Sequence, residues 1–129
     1  MTTEEHMTLR KIIFQQIITG QGADGSSGQA CWLSWGASEL TALEETHEYR
    51  GGLCFRTQGF KHKGKVFVWL SWSDTYVLEF LSDNGDKTII NDIYCDNLTF
   101  AIDRNVEYTS AYEDDVKEAN SKAPFGAFF

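Results

Sequence analysis

The chain has 129 residues, 42% of them hydrophobic and 14% aromatic with a single proline, a composition that excludes a disordered or collagen-like polymer and suits one domain. Nineteen acidic side chains against eleven basic ones leave a net charge of −8. No apolar run approaches the roughly 18 residues of a membrane helix, and the opening Met1-Thr-Thr-Glu-Glu lacks the basic and apolar regions of a signal peptide, so a soluble, cytoplasmic protein is expected.

The charge is split along the chain. Residues 1–65 hold seven basic and seven acidic side chains, whereas residues 66–129 hold four and twelve, so the second half supplies the entire −8. Such a field repels nucleic acid and anionic membrane and steers cationic partners toward itself.

The first predicted element is a helix over Thr2 to Thr19. Leu9, Ile12, Ile13, Ile17 and Ile18 recur at steps of three and four, Thr2 and Glu5 have the spacing of a capping box, and Gly20 follows as a stop. Residues 20–28 read as a mobile glycine-rich connector. The pattern Gly20-x-Gly22-x-x-Gly25 does not indicate a dinucleotide site, because that fingerprint needs a strand before it and a helix after it. Ala30 to Trp35 reads as a strand. Ser38 to Glu45 reads as a helix capped by Ser38, with a twisted strand as the alternative.

From Gly52 onward the period is two. Leu53–Thr57 and Val66–Trp72 are expected to pair across the Lys61–Gly64 turn, and Ser73-Asp74 turns the chain into Tyr76–Leu81. Asp83-Asn84-Gly85-Asp86 is the strongest turn signal, read as a type I′ hairpin turn leading into Lys87–Tyr94. Leu98–Ile102 is expected as a last strand, and Ser110 with Glu113 caps a short acidic helix over 111–119. Pro124 precedes a terminus with Phe125, Phe128 and Phe129, read as a docked tail or an oligomer contact. The tetrapeptide Trp-Leu-Ser-Trp occurs at 32–35 and again at 69–72, too short a match to make a structural repeat.

Chemical motifs are absent. Cys31, Cys54 and Cys95 have no Cys-x-x-Cys spacing and read as small buried hydrophobes. His6, His47 and His62 sit in no catalytic or zinc pattern, and Asp83-Asn84-Gly85-Asp86 lacks the glutamate that a calcium loop needs at its twelfth position. No carboxylate pair, whether Asp74 and Glu79, Asp92 and Asp96 or Asp114 and Asp115, shows the desolvation that general acid-base work requires. No catalytic residue, cofactor or metal is therefore assigned. Lys61-His62-Lys63-Gly64-Lys65, with Arg56 and the flanking Phe60 and Phe67, is the one basic and aromatic concentration, too thin on an acidic protein for direct nucleic-acid binding to be expected.

These elements predict a single-domain α+β fold, an N-terminal helix packed on a curved antiparallel meander of five or six strands. The element order is similar to the cone-shaped NTF2-like and cystatin-like architectures, a likeness of fold that carries no function. Two functions suit the sequence. One is a non-enzymatic binding or inhibitory module contacting a basic macromolecular surface, in the manner of a nucleic-acid charge mimic, through Asp103, Glu107, Glu113, Asp114, Asp115 and Glu118. The alternative is a cone enclosing an aromatic small-molecule pocket lined by Trp69, Trp72, Tyr76, Glu79, Phe80 and Asp92. Phe125, Phe128 and Phe129 are the candidate contacts of a homodimer.

Overall fold

The computed structural model describes residues 2–23, 25–59 and 61–106. Helix α1 (Thr3–Thr19) starts where the sequence predicts: Thr2 is its N-cap, and the Thr2 and Glu5 side chains each bond the other's backbone N–H. Those bonds, the Thr2 backbone first, hold the Glu5 carboxyl below its ordinary value. The buried stripe is His6, Leu9, Ile13 and Ile17, narrower than predicted, because Ile12 is 49% exposed.

The stretch 28–34 is helix α2 (Gly28–Ser34), not the predicted strand. Ser27 caps it through Ala30 N–H, and Trp35 closes it. Strand β1 (Ser38–Leu43) is the twisted-strand alternative rather than the helix, kinked where Glu39 takes a positive φ of 55°. Four more strands follow: β2 (Tyr49–Gln58), β3 (Lys63–Ser71), β4 (Tyr76–Ser82) and β5 (Lys87–Ile93). They pair antiparallel in the order β1-β2-β3-β4-β5, the predicted meander, with five strands among the described residues. Leu98–Val106 is helix α3, where a strand was expected over 98–102, because Leu98, Ile102 and Val106 keep a four-residue step that buries all three.

The layers follow from these faces. Leu53, Phe55, Val66, Val68, Leu70, Tyr76, Leu78 and Phe80 point from one sheet face into a core that Leu9, Ile13 and Ile17 of α1, Cys31 and Trp35 near α2, and Leu98, Ile102 and Val106 of α3 complete. Helices α1 and α3 meet there, where Thr99 Oγ1 donates to Ile17 O at 2.6 Å, and the β1–β2 connection ties to α1 where Glu45 N–H donates to His6 Nε2 at 2.9 Å. No described helix is long and apolar enough to cross a membrane.

The glycine-rich stretch is folded on itself. Gly22 N–H donates to Ser26 O and Gly28 N–H to Gly20 O, both at 2.8 Å, and Gln21 bridges Ser27. A Cβ at Gly22 would overlap Cys31 Sγ and Asp103 Oδ2, so glycine there is required by the close approach of α2 and α3.

Candidate functional site

With the described helices contributing to one core face, the other face of the sheet presents its own side chains. Strand alternation fixes which they are, and the register sets them in rows. Gly52, Trp69 and Val77 stand side by side, then Cys54, Phe67, Glu79 and Ile89, then Arg56, Lys65, Leu81 and Lys87, with Lys63 at the end opposite Gln58.

The rows near the β3–β4 turn are aromatic. The Trp69 ring lies 5.0 Å from Tyr49 at 22° and 6.4 Å from Phe67 at 6°, three rings in near-parallel succession. Trp69 stands opposite Gly52, whose bare backbone leaves the indole room to reach Tyr49. Val77, facing Trp69 across the ladder, is 7% exposed although it points away from the core. Burial pushes up both the Tyr49 hydroxyl, with Glu48 adding to the shift, and the Cys54 thiol. That thiol is thus held protonated, the opposite of what a nucleophile needs.

The rows near the β2–β3 turn are charged. Arg56 lies between Asp83 at 2.8 Å and Glu39 at 3.5 Å, and Lys87 bonds Glu79 at 2.8 Å. That bond raises the Lys87 ammonium above its ordinary value. Lys63 and Lys65 are exposed and ion-paired to no described residue. Glu39, Thr41, Cys54, Phe55, Arg56 and Lys65 line a shallow depression of about 250 Å³. The face thus grades over the length of β3 from stacked rings to ammonium groups that have no ion-pair partner among the described residues.

The residues predicted to form sites are placed differently. Asp103 is not a docking carboxylate: it is 4% exposed, takes the Trp35 indole N–H at 2.8 Å on Oδ1 and Ala23 N–H at 2.9 Å on Oδ2, and ties α3 to α2 and the glycine loop. Glu107, Glu113, Asp114, Asp115 and Glu118 lie outside the described residues, as do Phe125, Phe128, Phe129 and the helix expected over 111–119. The seven described carboxylates of the second half do not share one face, since Asp103 is buried. Asp74 is paired with Arg50, Asp83 with Arg56 and Glu79 with Lys87, so first-half arginines neutralise two of them.

The six residues proposed to line an aromatic pocket are not brought together. Tyr76 and Phe80 lie in the core, whereas the strand period turns Trp69 and Glu79 to the other side of the sheet. Trp72 is 56% exposed in the β3–β4 turn, and Asp92, at φ 58°, is exposed on β5. Of the residues that do meet on the outer face, Arg56, Lys63, Lys65 and Phe67 carried a signal in the basic cluster and its flanking ring. Tyr49 was missed, because strict alternation sets it on the core side with Leu53 and Phe55, and only the register shift between Tyr49 and Gly51 brings it to Trp69.

The cysteines form no disulfide among the described residues; Cys31 is buried and Cys95 is exposed beside the 3-10 turn Cys95–Asn97. Comparison with family models, with curated proteins and with solved structures gives no match, so the reading of the outer face rests on its own geometry.

Proposed function

We propose that the protein is a non-catalytic binding module that docks a partner polypeptide on the outer face of its sheet, the partner presenting acidic and apolar side chains. The observation that carries this reading is the joined surface of Tyr49, Trp69 and Phe67 with Lys63 and Lys65, which are exposed and ion-paired to no described residue. Rings supply contact area at low conformational cost, and ammonium groups select for carboxylates. A second reading, in which the protein offers acidic residues to a basic surface, is favoured by the ion pairing of Asp74, Glu79 and Asp83: it leaves 107–118, with five acidic residues and Lys117, as the largest acidic concentration of the second half.

Fluorescence titration of the full chain with synthetic peptides tests both. An extended peptide rich in glutamate and phenylalanine is expected to bind, with affinity falling as salt rises and lost in the Lys63→Glu/Lys65→Glu variant. Equal binding of a neutral phenylalanine peptide, or preference for a single-stranded oligonucleotide, overturns the first reading. Salt-sensitive binding of a lysine-rich peptide, lost when Glu113, Asp114 and Asp115 are neutralised, supports the second.

A further inference from the structure

We infer that the outer face has a ligand within its own chain, the acidic, phenylalanine-ended segment 107–129, which competes with any outside partner for the same surface. The inference rests on the outer face being a docking surface and adds the identity of one occupant. Three observations converge on it.

The first is where the segment begins. Val106 O accepts from Lys61 N–H at 2.8 Å and His62 N–H at 3.2 Å, which pins the end of α3 to the β2–β3 connection. Lys63 and Lys65 open β3 at that same end of the sheet. The segment therefore starts beside the basic end of the face, not the aromatic one.

The second is the order of its chemistry. Glu107, Glu113, Asp114, Asp115 and Glu118 come first, and Phe125, Phe128 and Phe129 come last. Along β3 from the same starting point Lys63 and Lys65 come first, then Phe67 and Trp69. Carboxylates meet ammonium groups and rings meet rings when the two run in the same direction, and reversing either would mismatch both.

The third is reach. Lys63 to Trp69 spans about 20 Å at the strand rise of ~3.3 Å per residue, and passing round the sheet edge adds about 10 Å, the thickness of one packed layer. From Val106 to Phe125 the chain can extend by up to about 60 Å, and as a flexible coil its root-mean-square span is near 25 Å. A tether of that length holds a ligand at an effective concentration on the order of millimolar, enough to make a modest affinity significant within one molecule and to oppose a partner in solution.

The test uses the full chain with Trp32→Phe/Trp72→Phe, which leaves only the buried Trp35 beside Trp69, so that acrylamide quenching of tryptophan emission reports mainly on Trp69. Phe125→Ala/Phe128→Ala/Phe129→Ala is expected to raise the quenching constant, as are Lys63→Glu/Lys65→Glu and about 1 M salt, where the Debye length falls to ~3 Å. Restoring protection by combining Lys63→Glu/Lys65→Glu with Glu113→Lys/Asp114→Lys/Asp115→Lys confirms that the ammonium groups and the segment meet, and guards against a variant that merely misfolds. Light scattering then assigns the source: protection in a monomer means the face takes its own segment, and protection lost together with a dimer means it takes a second copy's.

Quenching that does not respond to the three phenylalanine substitutions overturns the inference. If the glutamate- and phenylalanine-rich peptide still binds in that case, the docking reading survives without it, and if the peptide also fails, both fall. Where the inference holds, the phenylalanine variant binds that peptide more tightly than the unaltered chain does.

Discussion

Asp103 shows how much a single side chain's meaning depends on which element carries it. Read as part of an acidic run it is a docking group; on α3 it faces inward with Thr99, and two N–H donors converge on it from Trp35 and Ala23. A buried carboxylate is tolerated only when such donors satisfy it, and they in turn have no other partner among the described bonds. Asp103→Ala leaves both donors stranded at about 1–3 kcal/mol each, so urea denaturation is expected to show a loss of about 3 kcal/mol. Asp103→Asn keeps a carbonyl for the indole and should lose less. Equal stability of the alanine variant and the unaltered chain would show that the clamp contributes nothing. The residue was legible only in retrospect, since the four-residue step from Leu98 to Val106 marks the helix that turns Asp103 inward, and the apolar run over 98–102 alone suits a strand equally well.

At the scale of elements, the two copies of Trp-Leu-Ser-Trp separate what local sequence decides from what context decides. Copy one closes α2, where Trp35 is buried against Phe55 with rings at 6.1 Å and 10°, and Leu33 is 75% exposed. Copy two ends β3, where Leu70 faces the core and Trp69 the outer surface. The difference lies upstream: Ser27 caps the first copy's helix, while Val66-Phe67-Val68 commits the second to a strand. The capping box, strands β2 to β5 and their order were legible because each has an unambiguous period or turn. Helix α2 and strand β1 were not, being six or seven residues long with apolar spacing that fits either state.

Turn chemistry was half legible. Asn84-Gly85 does turn the chain, but only Gly85 has a positive φ, at 97°; Gly85 N–H donates to Ser82 O and Ser82 N–H to Asp86 O, a three-residue loop rather than type I′. The β3–β4 turn repeats that geometry, with Asp74 at φ 64° in the glycine position. Open space surrounds the Gly85 Cα, so Gly85→Ala meets no clash and its cost is purely that of the backbone. A loss of about 1 kcal/mol is expected, read as a fall in thermal midpoint, and no fall would mean that the loop relaxes to another turn type.

At the scale of the whole molecule, the decisive fact is that among the described residues one sheet face is covered by helices and the other presents its own rings and charges. The inner face ties to α1 through Tyr76, whose hydroxyl donates to Gln16 Oε1 and which burial pushes up to about 12. Burial likewise raises Cys54 and Tyr49 on the outer face, and the Glu79 hydrogen bond raises Lys87. All four groups therefore hold their protons more tightly folded than unfolded, and each contributes stability that is complete below its unfolded pKa and lost as pH rises through its folded one. For Tyr76 that window runs from the ordinary value of 10 to about 12. Thermal midpoints are expected to fall across it, as ionised Tyr76 is driven out from between the sheet and α1. Tyr76→Phe has no proton to lose, so its midpoint starts lower for want of the Gln16 bond and then declines less steeply over the same range. Parallel decline in the two proteins would place the alkaline weakness on the outer face, in Tyr49, Cys54 and Lys87, and not between the layers.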